Sequence, residues 1–382
     1  MQTRYIILLL SLLIGSTSCV EEFWPEIDSY ENVLVVDGML TNGDELGEVK
    51  LSVSSSVASP ELIPVSGASM YILDNQQIEI QLIETDNGIY KVSDPSFRAV
   101  IGGSYQLHIL LSNGRRFESD ICKLNAQSPI DSVYGLIESH ESLDYNHDLQ
   151  GIQFYLDNHS NNSDTCNYLW KLSQTFEYRS SFNINYTWEG EFLIYPKPDS
   201  LRTCWTTHQV TNIFTFSTKY IDKPTLTKFP LNYVSTETKE LSIRYSLFVK
   251  QLSISDKAYD YWSELQEQNN SQGNMYSQQP IQIRGNVYNV SNPEELVLGN
   301  FTVAGVSEKR IYVNRPGLIF RYSECMPDYE GMRMLNWESP RYWPIYIVSV
   351  PPYNIMARAF NSACFDCRES GGSITPPDFW VN

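Results

Sequence analysis

Residues 104–124 read SYQLHILLSNGRRFESDICKL, two strand-like runs, Ser104 to Leu111 and Arg115 to Leu124, on either side of Asn113-Gly114. An Asn-Gly pair between such runs is a strong hairpin signal, because both residues tolerate the positive φ of a tight turn. Similar runs precede it. Val33 to Leu40, Glu48 to Ser54 (EVKLSVS, alternating with period two), Ala68 to Asp74, Ile78 to Ile83 and Ile89 to Val92 are punctuated by turn signals such as Asp86-Asn87-Gly88. About seven short strands without a helical period predict a small β-sandwich over residues 32–126.

Ser128-Pro129-Ile130-Asp131 ends this unit, since proline forces an extended link and the strand rhythm restarts at Ser132 to Ile137. Residues 127–382 then read as a larger β-rich domain with a cysteine-containing tail. Its strands are expected at Gly151 to Asp157, Tyr168 to Tyr178, Phe192 to Tyr195, Gln209 to Ser217, Leu231 to Val234, Leu241 to Ser253, Ile281 to Asn286, Leu296 to Val303, Glu308 to Val313 and Trp343 to Val350. One segment departs from this rhythm. Ala258, Trp262 and Leu265 lie at i, i+4 and i+7 behind a Ser255 N-cap and an acidic first turn, which predicts an amphipathic helix over about 255–268. Gln266 to Gln279 reads as an exposed loop. The fold class expected is mainly β: an Ig-like β-sandwich, then a larger β-rich domain with one helix. No repeat of fixed period points to a propeller or solenoid.

The chain begins MQTRYIILLLSLLIGSTSC, with an apolar run from Tyr5 to Ile14. That run is roughly half of the ~20 residues that span a bilayer, so residues 1–18 read as an export signal rather than a membrane helix. The small residues Gly15 to Ser18 before Cys19 resemble a bacterial lipobox, although Ser16 stands where leucine is commoner. Acylation at Cys19 would hold residues 19–31 as a tether and anchor the protein to a membrane; ordinary cleavage and secretion is the alternative. Val20-Glu21-Glu22 resembles the acidic signal that directs Bacteroidota lipoproteins to the outer face of the outer membrane.

The 382 residues carry a formal charge of −18, which argues against nucleic-acid binding through a basic face. Removal of Arg4 with the signal makes the mature chain one unit more negative, so anionic headgroups would repel it and lipid must do the anchoring. Beyond Cys19 lie Cys122, Cys166, Cys204, Cys325, Cys364 and Cys367, an even number that in an exported protein favours disulfides. The connectivity is open, with Cys204, Cys325, Cys364 and Cys367 expected to cluster and tie down the C-terminal segment. Cys364-Phe-Asp-Cys367 admits zinc or redox readings, but a second CxxC is absent and no strand-helix redox context surrounds it.

Catalytic signatures are missing. His108, His140, His147, His159 and His208 form no metal-spaced pair, and neither GxSxG nor a phosphate-binding glycine pattern occurs. Asp144, Asn146 and Asp148 have the spacing of a calcium loop, but Leu149 takes its glycine position and Tyr155 its closing acid. No cofactor or metal is expected, and the chain reads as a noncatalytic protein. Aromatic residues make up 13% of the chain, and Trp188, Trp205, Tyr276 and Trp337 are candidates for a binding face, against the alternative that such rings fill cores.

Two resemblances add to this reading. Pro64-Val65-Ser66-Gly67-Ala68, Asp86-Asn87-Gly88-Ile89-Tyr90 and Gly103-Ser104-Tyr105-Gln106-Leu107 resemble the prealbumin-like sandwich of carboxypeptidase regulatory-like domains. The helix, the stretch Gln279 to Val287 (QPIQIRGNV), Val297 to Phe301 (VLGNF), and the tail with Cys364, Cys367, Gly371-Gly372 and Pro377 to Trp380 resemble a Bacteroidota lipoprotein family catalogued as a domain of unknown function. That resemblance implies an outer-membrane lipoprotein, at the cell surface or on the periplasmic face, accessory to a TonB-dependent β-barrel receptor in nutrient uptake. It supplies no catalytic residues. An envelope glycan or peptide hydrolase, with two carboxylates about 5 to 9 Å apart, and a surface adhesin or structural module are the competing readings.

Overall fold

A computed structural model describes residues 33–45, 47–54, 62–142, 144–159, 166–219, 221, 225–271 and 282–380. The expected signal, the expected tether with Cys19, and Tyr276 lie outside the described residues. The described chain is mainly β, with one α-helix among these residues.

The first sandwich comprises β1 (Leu34–Thr41), β2 (Gly47–Ser54), β3 (Leu62–Pro64), β4 (Ser69–Asp74), β5 (Glu79–Asp86), β6 (Ile89–Val92), β7 (Ser104–Leu110), β8 (Arg116–Ser119) and β9 (Cys122–Lys123). Alternation sorts its faces: Tyr105, Leu107 and Ile109 of β7 are buried, as are Leu34, Val36 and Leu40 of β1. The Asn-Gly hairpin forms, with Gly114 at φ +84° and its N–H donating to the Leu111 carbonyl at 2.9 Å.

The second sandwich packs a three-stranded sheet, β10 (Ser132–His140), β11 (Leu149–His159) and β17 (Thr225–Ser235), against a larger one. The larger sheet comprises β12 (Asn167–Arg179), β15 (Thr203–Gln209), β16 (Phe214–Ser217), β18 (Arg244–Ile254) and the second half of β20 (Val297–Asn314). Phe154, Trp170, Tyr245 and Val249 meet in the core between them. A third, small sheet orders as β14 (Phe192–Ile194), β13 (Tyr186–Trp188), β21 (Ile345–Val350) and β22 (Ile355–Ala357).

Strand β20 joins the two sandwiches. Val297 to Ala304 pair in parallel with β1, and Gly305 to Asn314 pair antiparallel with β18. The two strands expected at 296–303 and 308–313 are therefore one, because Ala304 and Gly305 continue the extended backbone instead of turning. Gly305 has a packing reason. A Cβ there would press on the Asn125 carbonyl oxygen and lie 2.7 Å from the Gln127 nitrogen, so the segment linking the sandwiches crosses directly over it. Together with β19 (Val287–Asn289), which pairs with β8, the first half of β20 gives Val287, Val297, Phe301 and Val303 to the first core. The unit expected at 32–126 is thus completed by residues from beyond its boundary.

Helix α1 (Asp256–Ser271) starts behind Ser255, whose Oγ accepts from the Ala258 N–H at 3.3 Å, and runs three residues past the expected end. Ala258 packs with Leu169, Leu252, Ile254 and Ala304, and Trp262 joins their edge. The Trp262 indole N–H donates to Thr302 Oγ1 on β20 at 3.0 Å, which ties the helix to the shared strand.

The link itself is held by a buried amide. Gln251 Oε1 accepts from Asn158 Nδ2 (2.8 Å) and Trp170 Nε1 (2.9 Å), while its Nε2 donates to the Ser128 carbonyl (2.8 Å). Ser128 also donates through its backbone to Ser253 Oγ and accepts from Tyr168 OH. Buried polar groups are stable only when satisfied, and here they satisfy one another around the start of the second sandwich.

Candidate functional site

Cys204 pairs with Cys367 and Cys325 with Cys364. The two cysteines of the CxxC therefore have different partners, so the motif serves neither as a redox pair nor as half of a metal site. Cys122 and Cys166, expected as disulfide candidates, belong to neither bridge, because one packs against the first core and the other against the second. Burial pushes the Cys122 thiol up to about 11; its sulfur accepts from Asn286 Nδ2 at 3.2 Å. Among the described residues no group of three or more His, Cys, Asp and Glu side chains is placed to hold a metal ion.

Among the described residues, the candidate aromatics Trp188, Trp205 and Trp337 do not assemble into one face. Trp188 is buried with Leu335 and Ile347 beneath the small sheet, edge-on to Phe192 at 4.9 Å. Trp205 is half-buried on β15, where its backbone exchanges two 2.8 Å hydrogen bonds with Ser373 and holds the tail. Of these three Trp337 is open, 82% exposed at the end of the 3-10 turn Gly331–Trp337. The same module carries further exposed side chains that sequence reading did not single out: Ile194, Met334, Tyr353, Ile355 and Phe360, the last fully exposed. By register, Phe192 and Ile194 share a sheet face with Trp188 and Tyr186, the face that the turn covers through Leu335.

A salt-bridged clamp positions that turn. Arg358 donates to Asp328 Oδ2 (3.2 Å) before the turn and to Glu338 Oε1 (2.6 Å) after it, and the backbones of 328 and 358 pair. The Gly331 N–H donates to Asp328 Oδ1 at 2.8 Å, which with Arg358 holds this carboxyl below its usual range. A depressed carboxyl stabilises the fold above its unfolded pKa and loses that contribution as pH falls through its lower folded value. As pH drops below about 4, the turn bearing Trp337 should therefore loosen. Exchange protection of the Gly331 amide, corrected for intrinsic rate, should fall on acidification, and Asp328→Asn should show the loss already at pH 7.

A second feature lies where the sandwiches meet. A cleft of about 860 Å³ opens between β1, β2 and β6 on one side and β12, β18 and β20 on the other. Most of its charges are matched. Glu48 meets Lys91 at 3.2 Å and Lys50 at 3.4 Å, which hold its carboxyl low against the cost of burial. Lys250 meets Glu45, and Glu308 at 3.4 Å. Lys171 differs: no carboxylate among the described residues lies within ion-pair distance, and its ammonium rests 5.4 Å from the Trp262 ring centre. Burial pushes its pKa down, Asp37 opposes this, and Lys50 and Lys250 add to it.

The architecture defines a class first: a β protein of two sandwiches joined through one strand, carrying a disulfide-stapled module. The chain belongs to the family described as Domain of unknown function (DUF4249), whose family model matches residues 20–310. The cleft residues lie inside this range, whereas β21, β22 and the cysteines 325, 364 and 367 lie beyond it. No match was found among curated proteins.

Proposed function

We propose that this protein is a lipid-anchored lipoprotein of the Bacteroidota cell envelope with a noncatalytic docking role, meeting an outer-membrane β-barrel receptor in nutrient uptake. The observation that carries the docking role is the open apolar module, with Trp337 82% and Tyr353 82% exposed and Phe360 fully so, on a scaffold fixed by two disulfides. Aromatic rings have few rotatable bonds and lose little conformational entropy on binding, and such rings dominate protein interfaces. The anchor rests on the apolar run and the small residues before Cys19. With a strongly acidic chain, lipid supplies the attachment and leaves the module free to face a partner.

The lipoprotein is to be recovered from detergent-solubilised outer membranes together with whatever it binds. A β-barrel protein should accompany the wild type, and combined Trp337→Ala, Tyr353→Ala and Phe360→Ala substitution should weaken recovery at least about tenfold. The triple variant should melt as the wild type does, since none of these side chains is in a core. Absence of any barrel partner from the wild-type sample would refute the receptor role, and failure of Cys19→Ser to abolish palmitate labelling would refute the anchor.

A further inference from the structure

The cleft floor carries an arrangement that stability alone disfavours. Lys171 and Lys250 are direct cross-strand partners on β12 and β18, so two ammonium groups stand side by side on one sheet face. Directly opposed like charges destabilise a sheet, and a half-buried ammonium adds a desolvation cost. Glu45 and Glu308 relieve Lys250, but no comparable carboxylate relieves Lys171. Beside Lys171 the ladder along the edge of β12 is interrupted: β15 pairs along Ser173 to Arg179 and β16 along Asn167 to Trp170, and between them the Val210 N–H donates to the Leu172 carbonyl at 2.9 Å. The connecting segment lines the cleft there with the exposed side chains of Thr211 and Asn212. A destabilising cation, exposed polar side chains and the Trp262 ring thus line one cavity.

We propose that this cleft binds an acidic saccharide of two or three units, its single carboxylate seated on Lys171. The Arg310 guanidinium, also in the lining, stacks on Phe248 and Phe379 and donates to Ser246 Oγ, which leaves the Lys171 ammonium as the seat for one carboxylate. Asp37 and Asp44, which also line the cleft, disfavour a multiply charged anion such as phosphate and can accept from sugar hydroxyls. The volume of about 860 Å³ lies within the range of small-molecule sites. This site is separate from the aromatic module and does not depend on the docking role.

The test titrates the full mature chain and its Lys171→Met variant by calorimetry with the aldobiouronic acid glucuronosyl-xylose, its neutral methyl ester and inorganic phosphate. Both proteins are also melted without ligand. The wild type should bind the acid at least about tenfold more tightly than the ester and should not bind phosphate, and Lys171→Met should lose about tenfold to hundredfold in affinity for the acid. The same variant should melt higher than the wild type when ligand-free, because an uncompensated charge has gone. No binding of the acid to the wild type, equal binding of acid and ester, or phosphate binding in the cleft would each overturn the proposal. So would a lower melting temperature for Lys171→Met, which would mark the lysine as a structural group.

Discussion

Replacing Cys204 and Cys367 together by alanine should lower stability by about 5 kcal/mol, against about 4 for the pair Cys325 and Cys364. The difference follows from loop length, since the first bridge joins residues 163 apart and the second residues 39 apart. A longer closed loop removes more freedom from the unfolded chain. Both sulfurs of the longer bridge sit in fully buried residues, and the surrounding bonds serve the same join: Tyr178 OH donates to the Cys367 carbonyl and Ser180 Oγ to the Phe365 carbonyl, each at 2.7 Å. Thermal denaturation should show a fall on the order of 10 °C, and limited proteolysis should begin in residues 362–380. A loss below about 1 kcal/mol would mean that these hydrogen bonds hold the tail without help from the bridge.

The second large effect is expected at Gln251. Its side chain is fully buried and serves three partners, so Gln251→Leu leaves the Asn158 amide, the Trp170 indole N–H and the Ser128 carbonyl without their recorded bonds. At about 1 to 3 kcal/mol for each stranded buried group, with partial relaxation, the cost should reach about 4 kcal/mol. The lost bonds converge on Ser128, which follows the segment crossing Gly305, so the damage should spread to the join between the sandwiches. Urea denaturation followed by tryptophan fluorescence would read the shift. A change under about 1 kcal/mol would show that the network is dispensable.

Much of the first sandwich is legible in sequence because its signals are local. The Asn113-Gly114 turn, the alternation of Glu48 to Ser54 and the Ser255 cap each depend on residues within a few positions of one another. The continuity of β20 is not local. Whether Ala304-Gly305 turns or runs on is decided by β1, β18 and the crossing segment at Asn125, all distant in sequence. Exposure of aromatics is hidden for the same reason: Trp188 and Trp337 sit in similar polar surroundings in the sequence, and only the placement of Leu335 and Ile347 buries one and leaves the other open. The Lys171 site needs the β12–β18 register, which no single-strand pattern reveals.

Strand β1 has a mechanical consequence. It is the first described strand after the N-terminal segment, and it is gripped on one edge by antiparallel β2 and on the other by parallel β20. A pull along the chain from that end loads both ladders in shear, so many hydrogen bonds must fail together instead of unzipping in turn. Because β20 runs on into the second sheet, the load passes to both sandwiches through one continuous backbone. A body hauled by its leading end would resist as a single piece.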